Sequence, residues 1–224
     1  AADAIEKAIL SGEIPMSRLD DALERIERAE KFRSKALEEK TYDTPNAEFA
    51  DEQTLKIARN GMCVLRNNIN MLPISPDKYK KVLIVDVTDE DELSSQMLCD
   101  ELRKRGLDAE VKRDIYDVPS RVCWQADIDK LQACYDLVIF NVNAFFVAEW
   151  SVAHMLIWAS HLFDKSKKLV INYRTPYFAE DYFPEDPTFI EMNCTPSKKT
   201  TELLVKAIFG EIELTGKSLL KERR

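Results

Sequence analysis

The stretch that decides the fold is residues 80–87, KKVLIVDV. Val82, Leu83, Ile84 and Val85 run without a polar break. A strand with one wet face alternates apolar and polar side chains, whereas an unbroken run marks a strand covered on both faces. Working outward, the same signature returns in residues 135–142 (YDLVIFNV), 167–174 (KKLVINYR) and 188–194 (TFIEMNC), with a shorter strand at 108–115 (DAEVKRDI). Helical patterns separate them: 91–105, stopped by Gly106; 124–133; the apolar 148–163; and 200–209, ended by Gly210. Alternation of strand and helix implies parallel pairing. Residues 50–224 are therefore expected to form an α/β domain: a three-layer αβα sandwich with a mostly parallel, flavodoxin-like sheet.

A helical arm precedes it, residues 1–49. A first helix is expected over 2–11, with Gly12 as its stop. A long surface helix follows, with Ser17 as the expected N-cap, Asp20 in its first turn, and Leu19, Leu23, Ile26 and Glu30 on one stripe. Pro45 and its neighbours break the pattern. A helix is then expected over residues 50–66, from Leu55, Ala58, Met62 and Leu65 at helical spacing, ended by Asn67, Asn68 and Asn70.

The formal net charge of −8 excludes nucleic acid and anionic lipid as natural partners, the basic 221–224 tail being read as a solvated end. No segment approaches the ~18–20 unbroken apolar residues of a membrane span. The five cysteines, Cys63, Cys99, Cys123, Cys134 and Cys194, lie in apolar contexts without C-x-x-C spacing, which reads as free buried thiols of a cytoplasmic protein. Export of a parent protein stays open. His154 and His161, seven residues apart, stand about 10 Å from each other along a helix, too far to share a metal. No metal and no cofactor is expected.

In open parallel sheets ligands sit beyond the carboxyl ends of strands. That rule places Thr88, Asp89, Asn143, Arg174 and Thr175 on the candidate edge. The segment after the first strand, VDVTDEDEL, is acidic and would repel a pyrophosphate; no G-x-G-x-x-G, Walker loop or G-x-S-x-G is present. A phospho-acceptor reading of Asp86 and Asp89 lacks the lysine such domains place after a later strand. Glu149, in NAFFVAEW, is the one candidate catalytic carboxylate, and a first helical turn explains it without any catalytic duty. Phe145 and Phe146 read as a packed aromatic pair or as a sugar platform. Arg174, Thr175, Pro176 and Tyr177 read as a stiffened turn or as a contact with another domain or a substrate. Lys198 and Lys199 read as a solvated turn.

The order of segments resembles the second half of glycoside hydrolase family 3 enzymes. Residues 8–32 (AILSGEIPMSRLDDALERIERAEKF) are similar to the stretch that follows the family's barrel, through Gly12, Ile14, Leu19, Asp20, Ala22, Arg25, Ile26 and Lys31. Residues 55–75 resemble its next segment through Ala58, Gly61, Leu65, Arg66, Asn67, Leu72 and Pro73. Pro176 and Tyr177, then Phe209, Gly210, Glu211, Gly216 and Lys217, match two later motifs. The resemblance implies a parent with an N-terminal (β/α)8 barrel that carries the catalytic aspartate, this chain being the C-terminal sandwich. A barrel takes about 250 residues of its own. Carbohydrate would reach the chain through that barrel, with Asn143, Phe145, Phe146, Arg174, Thr175 and Tyr177 as substrate rim or domain interface. In the family's glucosidase branch a glutamate after the third sandwich strand can act as acid/base; here NVNAFFVAEW keeps only Glu149 near that place. That departure favours the β-N-acetylhexosaminidase-like branch. The implied activity is hydrolysis of terminal β-linked N-acetylhexosamine by the parent, with this chain alone inactive. A β-glucosidase-type parent, or a non-catalytic binding module that uses Asp86 and Asp89 for a partner or cation, are the alternatives.

Overall fold

The computed structural model describes residues 2–39, 46–88, 93–113, 115, 125–144 and 152–218. The chain divides into two compact units, Ala1–Asn46 and Ala47–Arg224.

The first unit holds α1 (Ala2–Leu10) and α2 (Met16–Glu39). Gly12 ends α1 in the left-handed conformation, at φ +79°, where a residue without Cβ carries no steric cost. The amide of Gly12 donates to Ile9 O at 3.0 Å and that of Ile14 to Ala8 O at 2.9 Å, closing carbonyls the helix end leaves open. The second helix begins at Met16, behind Pro15, so Ser17 lies inside its first turn and is not the cap. Arg18 and Arg25 both reach Asp21, at 2.8 and 3.1 Å, and Arg28–Glu24 and Lys31–Glu27 continue the ladder at 3.9 Å. Exposed i,i+4 pairs are worth only about 0.3–0.5 kcal/mol each. No described side chain of the unit is buried.

The second unit opens with α3 (Ala47–Gly61) and β1 (Cys63–Asn67), then runs β2 (Lys81–Val87), α4 (Leu93–Lys104), β3 (Asp108–Lys112), α5 (Gln125–Gln132), β4 (Leu137–Val142), α6 (Val152–Ser160), β5 (Lys168–Asn172), α7 (Phe178–Asp181), β6 (Thr188–Glu191) and α8 (Lys198–Ile208). Among the described residues six strands form one sheet, in the order β1-β6-β5-β4-β2-β3. The five from β2 onward are mutually parallel, in the flavodoxin-like order expected. Strict alternation then sorts their side chains. Val82, Ile84, Ile139, Leu169 and Ile171 pack toward α3, α4 and α8. Leu83, Val85, Phe140, Val142 and Val170 pack toward α5, α6 and α7. An unbroken apolar run is what two covered faces require.

The helix expected over 50–66 is a correction. It stops at Gly61, and residues 63–67 are an edge strand antiparallel to β6, with Cys63 opposite Glu191 and Asn67 opposite Thr188. Met62 and Leu65 fit a helical stripe, but Met62 makes the last helical bond, to Ala58 O at 2.8 Å, and the chain then pairs with a partner over 100 residues away in sequence. Nor do the asparagines end a helix: Asn67 is the last residue of β1 and exchanges two bonds with the backbone of Leu72, both 3.2 Å, and Asn70 takes φ +53°. Lys198 and Lys199 are also corrected. They open α8 behind Ser197, whose side chain accepts from Thr200 N at 3.2 Å in a capping box, and Lys199 pairs with Asp51 of α3. Of the thiols, Cys63 and Cys99 are buried, Cys194 is half-buried and Cys134 is exposed; Cys123 lies outside the described residues.

Candidate functional site

The strand order reverses between β2 and β4, so the crevice at their carboxyl ends is the topological switch point. Thr88 and Asn143 meet there. The amide of Asn143 donates to Val87 O at 2.9 Å, and Thr88 Oγ1 donates to Asn143 O at 3.3 Å. On the far side, Arg113 donates through Nη2 to Thr88 O. Next along the edge, Arg174 Nε donates to Asn143 Oδ1 at 2.7 Å, so the sheet joins two of the expected residues that lie 31 positions apart. Asn172 Nδ2 donates to Thr175 O at 2.6 Å and folds the following turn back over the strand end. Beyond Pro176, Tyr177 is 60% exposed. Thus Asn143, Arg174, Thr175 and Tyr177 form one contiguous rim. Glu149, Phe145, Phe146 and Asp89 lie outside the described residues.

Two carboxylates stand at the strand ends, and neither faces outward. Asp86 is fully buried under α4 and accepts from Ser95 Oγ, while Asn141 Nδ2 bonds Ser95 Oγ at 2.9 Å and Ser94 Oγ at 3.3 Å. Placed there, Asp86 is out of reach of a surface partner. Glu191 closes β6 on the opposite face, 1% exposed, with Cys63 Sγ at 3.5 Å from Oε2. Burial, and after it the Glu191 charge, push the Cys63 thiol up to about 12, so it is an inert proton carrier rather than a nucleophile. Arg66 lies close enough for its charge to oppose Glu191 and Asp186; burial pulls its guanidinium down from its usual value and the two carboxylates pull it back.

Sequence reasoning assigned no role to Arg66, Arg113, Asn172 or Glu191. A glutamate at the end of an otherwise apolar run, TFIEM, was the signal for the last. Chemically the described rim offers amides, a guanidinium and a phenol, groups that bind hydroxyls and carbonyls. Retaining glycoside hydrolysis needs two carboxylates about 5–5.5 Å apart across one bond, and Asp86 and Glu191 lie on opposite faces of the sheet. His154 on α6 and His161 in the turn just after it flank Trp158; Trp158 Nε1 donates to His154 Nε2 at 2.6 Å. Among the described residues no cluster of three His, Cys, Asp or Glu side chains is placed to hold a metal, and no helix is long and apolar enough to cross a membrane.

No protein-family model and no curated protein matches the chain. Solved structures do. A beta-glucoside phosphorylase, BglX, aligns over 96% of this chain and 40% of its own, at 20% identity and TM-score 0.68. The same enzyme bound to 2FGlc aligns at 22% identity and TM-score 0.68. A fungal multi-domain GH3 beta-N-acetylglucosaminidase aligns over 96% of this chain and 25% of its own, at 19% identity and TM-score 0.65. The fold is one that family 3 glycosidases carry. The chain spans 40% or less of the length of these enzymes.

Proposed function

We propose that this chain is the C-terminal sandwich domain of a family 3 glycoside hydrolase whose barrel removes terminal β-linked N-acetylhexosamine, and that the chain alone is inactive. The observation that carries this reading is the asymmetry of coverage: 96% of this chain against 25–40% of the enzymes that share its fold. Four sequence segments in the family's order support it. So does the arm, where Ile5, Leu10, Leu23, Ile26 and Phe32 are about half or more exposed. Apolar faces of that kind mark surfaces that another body covers, and the barrel is the body this reading supplies. The Asn143–Arg174–Tyr177 rim would then border the substrate or the barrel without performing the proton or glycosyl transfer.

The test is hydrolysis of an aryl β-N-acetylglucosaminide, with an aryl β-glucoside alongside, by this chain and by a longer parent polypeptide that includes it. The expected result is no turnover by the chain and turnover of the N-acetyl substrate by the parent. Turnover by the chain alone, lost in Glu149→Gln, would overturn the reading. A parent that prefers the glucoside would select the β-glucosidase-type alternative. A protein that acts on neither sugar would be the binding module.

A further inference from the structure

Arg66 has a place that neither the fold nor the sugar chemistry explains. It stands on an edge strand, just after a bulge: the pairing of β1 with β6 slips between Val64 and Arg66, so that Arg66 comes opposite Phe189. A bulge re-aims a side chain. Here the guanidinium crosses the Phe189 ring, 5.2 Å from its centroid, and reaches the segment that follows β5. Its Nη1 donates to Pro184 O at 2.8 Å, and its Nη2 to Phe183 O at 2.6 Å and Ala179 O at 3.2 Å. These carbonyls belong to α7 and the turn after it. A one-turn helix leaves carbonyls such as Ala179 O without intrahelical donors, and one planar fork serves it together with Pro184 O and Phe183 O of the turn that follows, the last of which also accepts from Asp186 N at 3.2 Å.

The charge that makes these bonds strong is itself held in place. Glu191 and Asp186 are buried and attract the guanidinium, and Lys168, fully buried, binds Asp186 at 2.6 Å. Two cations thus face two anions beneath α7. The other end of the same segment is pinned by Asn172 to Thr175 O and by Asn143 to Arg174. Tyr177 is carried between the two anchors.

We propose that Arg66 is the latch of residues 174–184: a positioning residue on β1 that fixes how Arg174 and Tyr177 are presented at the carboxyl edge. The importance of that edge rests on the rim reading above; the latch itself does not. Arginine suits the place because its planar fork aims its donors in one fixed geometry, whereas a lysine ammonium is a compact point charge with rotatable donors and holds the segment less firmly.

The experiment is amide hydrogen exchange on this chain with Arg66→Met and Arg66→Lys. The reporters are the amides of residues 178–183, which donate within the segment itself, Tyr182 N to Phe178 O at 3.0 Å among them. Loss of hydrogen bonds to a charged donor is expected to speed their exchange about tenfold or more in Arg66→Met. Arg66→Lys should recover part of the protection. Residues 82–85 and 138–142, in the centre of the sheet, should keep theirs in both. Unchanged exchange at 178–183, or an equal acceleration across the sheet, would overturn the latch. Should Arg66→Met fail to fold, selective acceleration in Arg66→Lys decides in the same way. No sugar enters the measurement, so its failure is distinct from failure of the glycosidase reading.

Discussion

Lys168→Met is the perturbation that tests most of the packing at once. Lys168 opens β5 with no exposed surface, and Asp186 is 2% exposed. Nζ sits 2.6 Å from Asp186 Oδ1 and 2.8 Å from Ser160 O, and 5.7 Å from the centre of the Phe140 ring. Removing the ammonium leaves a carboxylate buried with its partner gone. Breaking such a pair costs about 3–5 kcal/mol, a large part of the 5–15 kcal/mol that holds a domain together. At roughly 2–4 °C per kcal/mol for a chain of this size, the midpoint of thermal unfolding should fall by about 6–20 °C. Asp186→Asn should cost a comparable amount, because it strands the ammonium instead. The double variant should lose far less than the sum, with a coupling of about 2 kcal/mol or more in a denaturant double-mutant cycle. Burial pulls the Lys168 pKa below 10.5, against the pull of Asp186. The unfolded chain therefore binds the proton at pH values where the folded one has released it, and the stability of the native protein should rise relative to Lys168→Met as pH climbs toward 10.5. Single replacements that cost under about 1 kcal/mol, or that add without coupling, would refute the argument by showing a hydrated, loosely held pair.

A Cβ at Gly216 would lie 2.2 Å from Met62 O and 2.7 Å from its carbonyl carbon, so Gly216→Ala should peel the C-terminal segment from α3 and β1 and cost about 1–3 kcal/mol in urea unfolding, while Gly12→Ala, with nothing within 4 Å, should cost only its backbone strain, about 1–2 kcal/mol. Ser197→Ala removes one half of the α8 capping box and should cost about 1 kcal/mol, with Thr200→Ala at the other half non-additive to it. Mass mapping with a thiol reagent near pH 8 should find Cys134 labelled first among the four described thiols, and Cys63, buried and pushed up to about 12, labelled only on unfolding. Asp136 accepts from the amides of Lys81 and Lys80 at 2.9 and 2.8 Å, and those bonds hold its pKa below 3.8; its contribution is complete above that pH and is lost as pH falls through the lower folded value, a slope that Asp136→Asn should abolish in acid titrations of stability.

Sequence alone was enough for the five parallel strands and for α4, α5, α6 and α8, but not for the one-turn α7. Each of those rests on a local pattern: runs such as VLIV and LVIF need two covered faces, and Gly106 and Gly210 end helices through their own positive φ. It also named Asn143 and Arg174, because a strand's carboxyl end can be read off where its apolar run stops. Only the tertiary structure decided that residues 63–67 are a strand. Five residues carry too short a period to separate a helix turn from an edge strand, and the pairing that settles it is with Glu191 and its neighbours at the other end of the chain. The same holds for Arg66 and its three carbonyls, and for Lys168 and Asp186. Such partners are chosen by register across the sheet, and register is a property of the assembled layers rather than of any one segment.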